Sequence, residues 1–162
     1  MTTNISLIFY LLSFIVSASL FSYGIRKRLK FFVAISLIIP ILIGGFRYGV
    51  GTDYFNYINL YNNHTKLSFG EFIENNGFGE LLFFTLEKIA YSVFHDSRFI
   101  FVISVGLTIL FFYLGVRVYK LKYPGLVYLL YLTTIFPMTL NAVRQGVAMS
   151  LVFFASTFIL KA

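Results

Sequence analysis

The chain of 162 residues is 59% hydrophobic and 12% charged, with a mean hydropathy of +0.84, against roughly 25% charged in a soluble domain. That balance excludes an ordinary soluble domain and implies several bilayer spans. The absence of cysteine rules out a disulfide framework, a thiolate metal site and a thiol nucleophile, and two histidines leave little for zinc. The net charge of +7 comes from cations scattered between apolar runs, which fits short cytoplasmic loops of a membrane protein and not nucleic-acid binding.

No charge precedes Arg26. A secretory signal peptide opens on lysine or arginine, so the run Ile5 to Tyr23 reads as a retained span with its N-terminus outside. Its 19 residues make about 28 Å of helix, close to the hydrocarbon thickness. Arg26, Lys27, Arg28 and Lys30 follow and mark a cytoplasmic loop. Phe31 to Phe46 is the second span. Pro40 is expected to kink it, which neighbouring helices tolerate by covering the freed carbonyl. Residues 47–97 form an outer loop region. There Tyr54, Tyr57 and Tyr61 recur at helical spacing and predict a short interfacial helix.

Residues 80–95 read either as a span or as a helix on the outer face. If they span, the cations divide six inside and six outside, with Lys88 in mid-helix. If they do not, eight lie inside (Arg26, Lys27, Arg28, Lys30, Arg117, Lys120, Lys122, Lys161) and five outside, and all six carboxylates lie outside. The second arrangement obeys the positive-inside bias and keeps Glu87 and Lys88 out of lipid. Phe99 to Val116, Tyr123 to Leu140 and Val143 to Leu160 complete the reading. The expectation is an all-α, polytopic integral membrane protein of about five transmembrane helices plus outer-face interfacial helices. It forms one membrane domain over residues 1–162. The odd count and bare apolar ending predict the N-terminal part of something longer.

The densest chemistry lies in Gly44-Gly45-Phe46-Arg47-Tyr48-Gly49-Val50-Gly51-Thr52-Asp53-Tyr54-Phe55-Asn56-Tyr57. Under this topology Arg47 and Arg144 both stand at the outer ends of spans. A single boundary arginine commonly just snorkels to lipid phosphates. Two with Gly-rich or Asn/Gln neighbours favour function, because forked cations bind a diphosphate bidentately and stabilise it as a leaving group. Asp53 reads as a general base or as a salt-bridge partner of Arg47, and spacing favours the bridge. Glu71, Glu74 and Glu80 are outer carboxylates of the kind any surface loop carries. His64 is a candidate base, although a lone loop histidine usually is not one. No Gly-Lys-Ser/Thr phosphate loop occurs, which speaks against a nucleotide hydrolase.

Two blocks carry a resemblance. One is Gly45-Phe46-Arg47-Tyr48-Gly49-Val50-Gly51-Thr52-Asp53-Tyr54-Phe55-Asn56-Tyr57, followed by Glu74-Asn75-Asn76-Gly77-Phe78. The other, about ninety residues on, is Asn141-Ala142-Val143-Arg144-Gln145-Gly146-Val147-Ala148. In this order they resemble the EpsG-like family of bacterial polysaccharide polymerases, the Wzy-type enzymes, over what would be the N-terminal half. The resemblance implies a metal-independent, cofactor-free glycosyltransferase-type polymerase in the multi-pass inner membrane. It would join undecaprenyl-diphosphate-linked repeat units at the outer face into exopolysaccharide, capsule or O-antigen. It further implies Arg47 and Arg144 as diphosphate contacts, Asp53 as acid/base or orienting residue, and Glu74 as a second acid/base candidate. Tyr48, Tyr54, Tyr57, Asn141 and Gln145 would contact substrate. Partners would be membrane lipids, a chain-length regulator and a flippase. The competing readings are a transporter or flippase gripping the same diphosphate without chemistry, and a non-catalytic partner in assembly.

Overall fold

The computed structural model describes residues 3–119 and 121–159. Lys120, Leu160, Lys161 and Ala162, invoked above for loop charge and for the chain ending, lie outside the described residues. Among the described residues the chain is all helical. The elements are α1 (Thr3–Lys27), α2 (Lys30–Gly45), α3 (Tyr54–His64), α4 (Phe69–Asn76), α5 (Leu81–Phe94), α6 (Arg98–Tyr119), α7 (Pro124–Leu130), a π-helical turn (Tyr131–Ile135), α8 (Phe136–Asn141) and α9 (Val143–Ile159).

Among the described residues, two helices are long and apolar enough to cross a bilayer: α1, through Ser6–Lys27, and α6. Helices α2 and α9 are apolar but shorter, at 16 and 17 residues. The expected span Tyr123 to Leu140 is divided by the π-helical turn. Pro137 explains the widening. Its ring would strike the carbonyl four residues back, and the wide turn just before it shifts those carbonyls aside.

Helix α2 packs between α1 and α6, α6 packs most extensively on α9, and α7 lies on α1. The main core joins Phe14 and Phe21 of α1 to Ile109 and Phe112 of α6, and to Tyr128, Leu132 and Phe136 of the broken segment. Pro40 is buried in α2, which runs unbroken around it. Proline leaves the carbonyl of residue 36 without its helical donor. Two neighbours supply it: Ser17 Oγ donates to the Ser36 carbonyl at 2.6 Å and Tyr128 Oη at 3.2 Å. The proline thereby becomes a junction of three helices.

A second core gathers the connection between α2 and α6. Tyr54, Tyr57 and Tyr61 of α3 pack with Phe83, Leu86 and Ala90 of α5, Ile100 and Phe101 of α6, and Val143 of α9. Helix α3 thus forms at the tyrosine spacing, and its tyrosine face is turned into protein. Helix α4 starts on a reciprocal cap, in which Ser68 Oγ accepts from the Glu71 N–H and Glu71 accepts from the Ser68 N–H. Those bonds hold the Glu71 carboxyl below its usual range. Glu87, whose charge argued against a span over residues 80–95, is not exposed at all. It is buried in protein against His64, so that argument loses its force. The length of α5, 14 residues, is about 21 Å of helix, short of the roughly 30 Å hydrocarbon core.

Candidate functional site

The two sequence blocks meet in space, and Arg47 joins them. It stands just past the C-terminus of α2 and is 5% exposed. Its Nη1 donates to the Gly44 carbonyl at 2.6 Å, its Nη2 to the Leu140 carbonyl at 2.7 Å, and its Nε to the Val50 carbonyl at 3.0 Å. Gly44 and Leu140 lie in the last turns of α2 and α8, where carbonyls lack helical donors and the dipole favours a cation. The guanidinium also lies 4.6 Å from the centre of the Phe101 ring. Burial lowers its pKa to about 10, which leaves it charged at neutral pH.

Two further features complete this clasp. Asn141 Oδ1 accepts from the Thr52 N–H at 3.3 Å. Gly51 has φ +105°, and a Cβ there would meet Asn141 Oδ1 at 2.8 Å, so the loop approaches α8 only with glycine at this position. Gly45 likewise brings α2 against the backbone of Val102, 2.9 Å from where a Cβ would stand.

Arg144 is placed differently. Helix α8 breaks at Ala142, and Arg144 sits in the first turn of α9. Its Nη1 pairs with Glu80 Oε1, and both side chains are partly open, at 28% and 43% exposure. Its guanidinium lies 4.9 Å from the Phe83 ring centre and 5.7 Å from that of Tyr57, while its buried Nε has no partner. Beside it a cavity of about 310 Å³ opens between α5 and α9, walled by Leu82, Phe83, Leu86 and Val147, with Glu80 and Gln145 also lining it. A charged fork therefore tops an apolar slot.

Residues 30–162 match the model of the EpsG family. The chain belongs to the EpsG family. No curated protein and no solved structure matches it. As an EpsG member it is a membrane protein of polysaccharide biosynthesis, in a family associated with glycosyltransferase-like polymerases.

The geometry sorts the expected site residues of this EpsG member. Arg47 and Arg144 do not present two free forks to one cleft. The nitrogens of Arg47 are taken up by carbonyls, and Arg144 alone lines an open cavity. Asp53 makes no bridge to Arg47. It is exposed at the start of α3, with no side-chain capping bond. Glu74 is exposed on α4. Tyr54 and Tyr57 are 3% and 7% exposed. Tyr54 stacks on Phe101 at 4.8 Å and Tyr57 lies against Phe83, so neither offers a face to a sugar in this arrangement. Tyr48, 79% exposed, does. Asn141 serves the clasp, and Gln145 lines the cavity beside Arg144.

Sequence reasoning missed two pairs. Glu80 passed as one surface carboxylate among several, although it partners Arg144. His64 was read as a loop residue, yet its Nδ1 lies 2.6 Å from Glu87 Oε2 in a buried pair. Burial raises the Glu87 pKa, and the hydrogen bond to His64 opposes that rise. The signal for His64 was available: it continues the stripe 54, 57, 61 by one more helical step.

Proposed function

We propose that this chain takes part in polymerising lipid-linked oligosaccharide repeat units at the outer face of a multi-pass inner-membrane protein. The single observation that supports the reading is Arg144, a partly open guanidinium with an unpartnered Nε, set over the apolar slot between α5 and α9. A polyprenyl diphosphate has the same division, two phosphates on an apolar tail. Arg144 binds the diphosphate bidentately and steadies the charge it gains on leaving.

In the reaction an acceptor sugar hydroxyl attacks the anomeric carbon of the donor glycan. A new C–O bond forms, the bond to the diphosphate oxygen breaks, and lipid diphosphate departs with the electron pair. The hydroxyl proton passes to a carboxylate. Glu80, freed when diphosphate takes its place on Arg144, lies at the cavity. Asp53 and Glu74 are the exposed alternatives on neighbouring elements. Tyr48 supplies a ring for the sugar, and Gln145 a polar contact beside Arg144. A flippase that delivers repeat units and a chain-length regulator are the partners this role calls for.

The test is the surface-polysaccharide ladder of cells lacking the gene, complemented with the intact reading frame. Wild type restores long chains, and Arg144→Ala leaves single lipid-linked repeat units at unchanged protein abundance. A normal ladder from Arg144→Ala overturns the reading. Repeat units that never reach the outer face would indicate transport instead.

A further inference from the structure

The opposite end of the bundle carries a second cavity, of about 630 Å³, at the α1–α2 connection and the end of α6. Arg28, Lys30 and Arg117 line it together with Val33, Leu37 and Tyr113. All three cations are exposed, and none belongs to an ion pair found among the described residues. All six carboxylates of the chain fall between Asp53 and Asp96, on connections at the other end of α2. No carboxylate side chain lines this cavity among the described residues.

The positive-inside bias accounts for cations at this end. It does not call for their convergence, from two separate connections, on one cavity. Nor does it explain the backbone. Helix α1 ends with the Leu29 N–H donating to the Gly24 carbonyl at 2.9 Å and the Arg28 N–H to the Ile25 carbonyl at 3.3 Å. This is a Schellman ending, with Arg28 in the left-handed position at φ 56°, where glycine is the usual residue. An arginine held there carries a conformational cost that glycine would avoid, and the turn fixes where its side chain starts. From Lys30 the cavity continues past Val33 and Leu37 along an apolar helix, so its wall changes from cationic to apolar in about two turns.

We propose that this cavity binds the phosphate headgroup of an anionic phospholipid, with Arg28, Lys30 and Arg117 on the phosphate and the acyl chain along Val33 and Leu37. This site is independent of the Arg144 cavity and of any reaction there.

The test titrates the purified full chain, in nonionic detergent, with short-chain phosphatidylglycerol, and counts bound lipid by native mass spectrometry. Phosphatidylcholine of the same chain length and inorganic phosphate are the parallel arms. Glycine suits the left-handed turn, so R28G removes a cation without harming the fold, and R117Q removes one from α6. Wild type retains phosphatidylglycerol over phosphatidylcholine, and each variant weakens that binding roughly fivefold, as expected for one cation at a lipid surface. Without lipid, R117Q melts at the wild-type temperature and R28G at or above it, since glycine relieves the left-handed turn. Equal binding of both lipids, or wild-type binding by the R28G/R117Q protein, overturns the proposal. Inorganic phosphate that displaces the lipid at equal concentration also overturns it, because the cavity would then be a soluble-anion site.

Discussion

Arg47 donates to the backbone carbonyl of Leu140 at 2.7 Å across 93 positions of chain. The contact ties the end of α2 to the end of α8 and makes Arg47 a structural clasp. Arg47→Ala would leave the Gly44, Leu140 and Val50 carbonyls without their donor. The expected loss is about 3 kcal/mol, at about 1 kcal/mol or more for each stranded buried group. Thermal unfolding in detergent reads it directly, and protein abundance in the membrane falls with it. Arg47→Lys recovers part of the loss, since one ammonium cannot reach three carbonyls in a fork. Normal stability in Arg47→Ala would refute the clasp.

Arg144 should behave in the opposite way. Its pair with Glu80 is partly open, and such pairs contribute about 0–1 kcal/mol. Arg144→Ala and Glu80→Gln are therefore expected to melt within a few degrees of wild type. The polysaccharide ladder should nonetheless collapse in Arg144→Ala. A ladder defect in Arg47→Ala that tracks lost protein, beside one in Arg144→Ala at full abundance, separates fold from function.

The Ser36 carbonyl allows a rescue experiment. Ser17→Ala with Tyr128→Phe removes both of its donors, for an expected loss of about 2 kcal/mol. Pro40→Ala restores a backbone N–H four residues on, so the triple variant should regain most of that stability. Additive losses across the series would show that the carbonyl was not the shared partner.

Glu87 predicts a pH dependence with a definite sign. Burial raises its pKa above the ordinary 4.5, so the folded state favours the neutral carboxyl. This contribution is fully present below pH 4.5 and is lost as pH rises through the folded value. His64 Nδ1 faces the same carboxyl at 2.6 Å. The readout is therefore the difference between the wild-type and Glu87→Gln melting curves across pH 4 to 8, as the variant keeps a neutral partner for His64 throughout. Wild type should lose stability relative to Glu87→Gln as pH rises, and parallel profiles would refute the assignment.

How much of this was legible beforehand follows from the range of each interaction. Helix α3 could be read because the spacing of Tyr54, Tyr57 and Tyr61 is a local signal. The tolerance of Pro40 could be anticipated because a missing N–H is local too, although Ser17 and Tyr128 as its remedy could not. The roles of the two arginines were not separable, since what distinguishes them is the partner. Leu140 is 93 residues from Arg47, and Glu80 is 64 from Arg144. Carbonyl acceptors leave no trace in residue type, so nothing in the sequence marked Gly44, Val50 and Leu140 as receivers of a charge. The tyrosines misled because an aromatic beside an arginine has the same composition whether it faces a sugar or Phe101.

The clasp also has a timetable. Arg47 leaves the ribosome 93 residues before Leu140, an interval of about 5 to 20 s at roughly 5–20 residues per second. Throughout that interval its guanidinium lacks one of the three carbonyls that later hold it. Water and lipid headgroups must host it until α8 arrives, which keeps the Arg47 end of the α1–α2 hairpin at the membrane surface. A helix made much later thus completes the anchoring of α2.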